Sequence, residues 1–179
     1  MTIEELTIRL KQEAESFNQN EPFASPMLQE QILLKDSFKE MLTVTLACGL
    51  AGEIINREKL ETLINSCFEK FPEILEYAKK DLVATVLRDP ACLGYLEPLL
   101  FFKGFQGLQA YRIAHALWKN NERFIAKMFQ SIISRKFGMD IHPAAQIGHG
   151  LLIDHATNIV IGETAVIGNN VSILHGVTL

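Results

Sequence analysis

Residues 140–179 read DIHPAAQIGHGLLIDHATNIVIGETAVIGNNVSILHGVTL. An aliphatic residue returns at every sixth position: Ile141, Ile147, Ile153 and, after a two-residue insertion at Ile159-Val160, Ile161, Ile167, Ile173 and Leu179. The residue that follows is often small or polar, as at Gly148, Asp154, Gly162 and Gly168. The fifth position of each six is apolar or small: Ala145, Leu151, Thr157, Ala165, Val171 and Val177. A six-residue period is the signature of a parallel β-helix. Each six residues form one short flat face, three faces close a triangular coil, and the recurring aliphatic side chain fills its interior. Coils stack at the strand spacing of a sheet, about 4.8 Å. In this register residues 141–158 form one coil, residues 161–178 a second, and Leu179 opens a third. A chain stopping there leaves an unpaired β edge, so either a partner covers that edge or, the favoured reading, the repeat region is cut short.

Upstream of Phe137-Gly138 the pattern is helical. Thr2-Ile3-Glu4-Glu5 has capping-box spacing, and Leu6, Leu10 and Ala14 follow on one face. Residues 18–25 are a largely polar break. Ser25 as cap and Pro26 at the first helical position then predict a helix carrying Leu28, Ile32, Leu33, Met41 and Leu42. Pro72 opens a further helical stretch through Ile74, Leu75, Tyr77, Leu82 and Val83. It ends near Asp89-Pro90, because the residue before a proline is pushed out of the helical region. Residues 106–118 and 123–137 predict two more helices. The expected organisation is α + β, with an α-helical domain over residues 1–137 and the start of a hexapeptide-repeat β-helix over residues 138–179.

The formal charge is −4 at pH 7, which implies no general attraction to nucleic acid. In the second half every base lies between Lys103 and Lys136, and residues 137–179 contain no Lys or Arg. The set Lys103, Arg112, Lys119, Arg123, Lys127, Arg135 and Lys136 is irregularly spaced and lacks interleaved aromatics. It reads as a solvated helix face rather than a nucleic-acid surface. Cys48, Cys67 and Cys92 form no CxxC or zinc spacing and read as free buried thiols. Residues 1–10 are amphipathic and acidic, unlike a signal peptide. The apolar run at residues 41–52 is too short to cross a bilayer. A cytoplasmic protein with no membrane association is the default expectation.

The residues able to do chemistry cluster in the repeats. His155 occupies the third position of its hexad and reads as facing outward, where a neutral imidazole could take a proton from an alcohol. A carboxylate beside it would fix its tautomer and stabilise the imidazolium. Asp140 and Asp154 are the candidates; Asp154, adjacent in sequence, reads as pointing away, which favours Asp140. His155 and His175 should stack on one face, being one coil plus the insertion apart. No third ligand lines up, since His149 belongs to another face, so a metal site is not expected. Asp89, in Leu87-Arg88-Asp89-Pro90, either ends its helix or serves a site.

These segments together resemble the bacterial serine O-acetyltransferases. The resemblance rests on Asp89-Pro90-Ala91, Lys103-Gly104-Phe105, Gln109-Ala110-Tyr111-Arg112-Ile113, Asp140-Ile141-His142-Pro143-Ala144-Ala145, Asp154-His155-Ala156-Thr157, Gly162-Glu163-Thr164-Ala165-Val166 and Val171-Ser172-Ile173-Leu174. It is specific from about residue 81 onward. It implies a left-handed parallel β-helix and transfer of acetyl from the cosubstrate acetyl-CoA to the L-serine hydroxyl in cysteine biosynthesis. It implies His155 as general base, Asp140 as its orienting acid, and Asp89 and Asp154 as holders of serine. It further implies homotrimers through the coils, hexamers through the helical domains, and a tail that binds O-acetylserine sulfhydrylase. The family's Gly-Gly-Thr-Gly stretch, later Arg-His pair and further coils are not among these residues. The cofactor-binding residues are therefore expected mostly beyond Leu179, and residues 1–179 alone are expected to be impaired or inactive. Asn158 stands where the family often has glycine. The alternatives are an acetyltransferase for another hydroxyl acceptor, a non-catalytic oligomerisation module and, more distantly, a β-helix carbonic anhydrase.

Overall fold

A computed structural model describes residues 1–52 and 55–179. The first helix, α1 (Ile3–Asn20), begins at a complete capping box. Thr2 Oγ1 accepts from Glu5 N at 3.1 Å, and Thr2 N donates to Glu5 Oε2 at 2.7 Å. Two of the four orphan donors of the first turn are thereby satisfied. Leu6, Leu10 and Ala14 lie on its buried face.

The next segment departs from the expected single helix. A 3-10 turn at Pro22–Ala24 leads into the short helix α2 (Ser25–Leu28) and a π turn at Gln29–Leu33. Ser25 is not a cap: its N–H already bonds to Pro22 O, and its φ of −52° and ψ of −48° are helical. Ser37 is the residue that restarts the chain. It is extended, its hydroxyl accepts from Glu40 N at 3.3 Å, and α3 (Phe38–Leu50) follows. Met41 and Leu42 therefore belong to a different helix from Leu28 and Ile32. Buried on most of its surface, α3 satisfies its two internal hydroxyls by donation, Thr43 to Asn65 Oδ1 (3.2 Å) and Thr45 to Gln31 Oε1 (3.3 Å).

Against it pack α4 (Arg57–Lys70), α6 (Leu96–Phe101), α7 (Lys103–Lys119) and α8 (Arg123–Phe137), and α5 (Glu73–Arg88) packs in turn on α4, α6 and α7. Pro72 and Asp89 flank α5 as expected. The cysteines are free, but only Cys67 is buried; Cys48 and Cys92 are half-buried. Among the described residues no helix is long and apolar enough to cross a membrane.

Gly138, at φ +71°, ends α8 in the left-handed conformation that glycine adopts at little cost. Beyond it run β1 (Met139–Ile141), β2 (Gln146–Ile147), β3 (Leu152–Ile153), β4 (Ile159–Ile161), β5 (Val166–Ile167) and β6 (Ser172–Ile173). All pairing is parallel: Ile141 with Ile161, Ile147 with Ile167 and Ile153 with Ile173. These are the first two coils of a left-handed parallel β-helix, in the register read from the sequence. The insertion alters one detail. Ala156 turns inward and is fully buried, while Thr157, at a fifth position, is exposed.

One buried cluster runs from α1 through α7 and α8 into the coils. Contact between α7 and the coils is so close that only glycine fits at Gly104, where a Cβ would stand 2.0 Å from Ile153 O. Tyr111 donates its hydroxyl to Ala145 O at 2.5 Å. Burial drives that phenol's pKa well above its ordinary value.

Candidate active site

The end of β3 carries the site. Asp154 N donates to Ile173 O at 2.8 Å, which fixes the start of a corner leading into β4. Three residues of that corner, His155, Ala156 and Asn158, have positive φ, at 54°, 61° and 60°. Asparagine tolerates this region better than most side chains, so Asn158 fits its place in the corner.

His155 is 75 % exposed at its side chain, so the outward orientation holds. Its ring meets that of His175 edge to face, with centroids 5.9 Å apart. Among the described residues no group of three or more His, Cys, Asp or Glu side chains is arranged to hold a metal ion. Asp154 does not point away: its Oδ1 lies 3.8 Å from His155 Nε2. Positive φ at His155 swings its side chain off the alternation that a regular strand would impose. Asp140 stands on β1 and accepts from Gln130 Nε2 at 2.6 Å. Among the described residues it makes no ion pair with His155. Asp89 ends α5 and also closes a turn, its Oδ1 accepting from Ala91 N at 2.9 Å. The neighbouring Arg88 reaches Ser172 Oγ at 3.3 Å, which brings the end of α5 to the β3–β6 face. His149 lies at another corner, its Nε2 3.3 Å from Lys80 Nζ.

One member of the basic set is not solvated as read, and another, though exposed, is bonded to the coils. Arg112 is buried with Asp81, donating from Nε at 3.0 Å and from Nη2 at 2.7 Å. Asp81 also accepts from Gln109 Nε2 (3.0 Å) and Leu151 N (2.9 Å). The sequence carried a signal for this pair, because Asp81 interrupts the apolar stripe of Ile74, Ala78 and Leu82. Lys103, at the start of α7, donates to Thr157 Oγ1 at 2.5 Å.

A cavity of ≈ 630 Å³ lies between α5, α7 and the β2–β5 face, lined by Tyr77, Arg112, His115, Trp118, Gln146 and Val166 among others. None of the four candidate residues lines it. His115 Nδ1 lies 2.8 Å from Pro143 O, and since a carbonyl only accepts, Nδ1 carries the hydrogen. Burial, assisted by Lys119 and Arg112, lowers the pKa of this imidazole against the opposing effect of the Pro143 bond.

A helical half closed onto six-residue coils, with an exposed histidine and a carboxylate at a coil corner, places the chain among the hexapeptide-repeat acyltransferases. Residues 7–110 match the family described as serine acetyltransferase, N-terminal. The chain is 46 % identical over 176 residues to serine acetyltransferase 1, chloroplastic, of Arabidopsis thaliana, spanning 98 % of its own length and 56 % of that protein's. The solved soybean serine acetyltransferase complexed with serine is 43 % identical and superposes with a TM-score of 0.95 over 97 % of this chain and 72 % of its own. A serine acetyltransferase from Brucella abortus strain S19 in complex with coenzyme A is 38 % identical, with a TM-score of 0.95 over 97 % of this chain and 70 % of its own. The chain belongs to the serine acetyltransferase family.

Proposed function

We propose that the protein transfers the acetyl group of acetyl-CoA to the hydroxyl of L-serine, giving O-acetylserine and free CoA. The observation that carries this reading is the exposed His155 at a coil corner, in a fold shared with relatives solved with serine and with coenzyme A. His155 takes the hydroxyl proton as the serine oxygen attacks the thioester carbonyl. The tetrahedral intermediate collapses with loss of the CoA thiolate, which leaves as the thiol once it regains a proton. A carboxylate stabilises the imidazolium meanwhile. Asp140 is assigned that role, on the strand whose partner β4 the His155 corner enters. Asp154 and Asp89 are assigned the serine ammonium. The working unit is an oligomer, trimeric through the coils.

The test is thiol release from acetyl-CoA with L-serine by the whole protein, residues 1–179 alone being expected to show little, set against a panel of other hydroxyl acceptors. Serine is expected to be the preferred acceptor, and His155→Ala to lower kcat/KM by about 100-fold or more. Preference for a sugar hydroxyl would overturn the acceptor, and an undiminished rate in His155→Ala would remove it as base. Replacing Asp140 and Asp154 separately by asparagine separates their roles. Asp140→Asn should lower kcat, whereas Asp154→Asn should raise the KM for serine.

A further inference from the structure

The corner that presents His155 is strained. Ala156 N donates to Asp154 O at 2.6 Å across His155, and Thr157 N donates to His155 O at 2.7 Å across Ala156. With φ of 54° and 61° at the two central residues, these are successive classic γ-turns, the rare and strained form. Neither central residue is glycine. Such backbone persists only where its surroundings hold it, and it concentrates at functional sites.

Three contacts hold this one. The Ala156 methyl is fully buried in the coil, and Gly176 N from the next coil donates to Thr157 O at 2.8 Å. The third comes from the helical half: Lys103 Nζ donates to Thr157 Oγ1 at 2.5 Å. That hydroxyl in turn donates to His155 O at 3.3 Å, the carbonyl within the second γ-turn. Neighbouring Gly104 is pressed against Ile153 O, so the backbone that launches the lysine is fixed relative to β3. Fixing a long exposed lysine side chain costs rotamer entropy, and a charge-assisted bond to the hydroxyl offsets that cost.

We propose that Lys103 is a positioning residue, whose ammonium latches Thr157 and so holds the strained corner that aims His155 at the acceptor hydroxyl. It acts through the turn and touches neither substrate. The proposal rests on the acetyltransferase reading for its consequence in catalysis, but not for its structural part.

The test compares Lys103→Met, Lys103→Arg, Thr157→Val and the Met/Val double variant by amide hydrogen exchange and by steady-state kinetics. Lys103→Met should speed exchange at Ala156 and Thr157 by about 10-fold while the helical amides keep their protection. Thr157→Val should reproduce that effect from the other side of the bond, and the double variant should be no worse than either single one. The kcat for serine should fall by about 10- to 100-fold, with KM for acetyl-CoA within about 2-fold. Lys103→Arg should recover most of both. Unchanged exchange in Lys103→Met, or purely additive effects in the double variant, overturns the latch. If the parent protein does not acetylate serine, the function reading fails and exchange alone decides the latch. If the parent is active and Lys103→Met changes neither kcat nor exchange, the latch fails and the function stands.

Discussion

His115 donates Nδ1–H to Pro143 O and lies half-buried in the cleft between α7 and the coils. Its folded pKa is lowered, chiefly by burial, whereas in the unfolded chain it titrates near about 6.5. As pH falls through that value the unfolded chain takes up the proton first, so stability is complete above it and is lost as acid is added. His142 is shifted in the same direction, first by burial and then by Lys127, and adds to the slope. We expect denaturant midpoints to fall between pH 7 and about 5.5, and His115→Gln to flatten part of that fall. A slope that His115→Gln leaves untouched would assign the effect to other groups. Among the site residues, the outward placement of His155 was legible because the hexad count fixes which positions leave the coil. The contact with Asp154 was not, because it depends on a positive φ at a residue that seldom adopts one. The position of Lys103 over Thr157 was illegible for another reason: it joins residues 54 apart through a helix–coil approach that no local pattern encodes.

At the scale of elements, Gly104 is where α7 meets β3. Alanine would favour the helix by roughly 1 kcal/mol, yet its methyl would meet a backbone carbonyl at 2.0 Å and cannot be relieved by rotating a side chain. Gly104→Ala should therefore destabilise the fold by about 1–3 kcal/mol in denaturant titration, and a stabilising outcome would contradict the close approach. Several elements were readable from their punctuation. Thr2 and Glu5 announced α1, Asp89-Pro90 ended α5, and Gly138 marked the change from helix to coil. The segment after α1 was not readable, because a 3-10 turn and a π turn occupy a stretch whose apolar spacing imitates one continuous helix. In α4, by contrast, the signal lies in the sequence: Asn56 caps it, its Oδ1 accepting from Lys59 N at 3.0 Å, and Leu60, Ile64, Cys67 and Phe68 form a buried helical stripe.

Across the whole molecule, the Asp81–Arg112 pair ties the helices to the coils. The Asp81 carboxylate accepts from Arg112 and Gln109 on α7 and from Leu151 N, just before β3, while Arg112 Nη2 donates onward to Gly148 O at 2.7 Å. Helix α5, which carries Asp81, is capped by Asp89, and β3 is followed by Asp154 and His155. The pair thus joins the helical half to the coils through buried, charge-assisted bonds. Removing one partner leaves the other charge buried and unpaired, which costs about 3–5 kcal/mol, whereas replacing both by apolar side chains can be close to neutral. Asp81→Asn should therefore lower stability by an amount in that range, and Asp81→Leu with Arg112→Leu should lose less than either change alone. Trp118, the chain's one tryptophan, meets the His142 ring edge to face with centroids 5.2 Å apart, so its fluorescence reports the junction between helices and coils. Because one buried cluster spans both parts, its unfolding transition should coincide with that of the far-ultraviolet circular dichroism, in the parent and in Asp81→Asn alike. A fluorescence transition that precedes the loss of helix in the parent protein would show the coils to be separable, and the pair would then be a local bond rather than the link between the two halves.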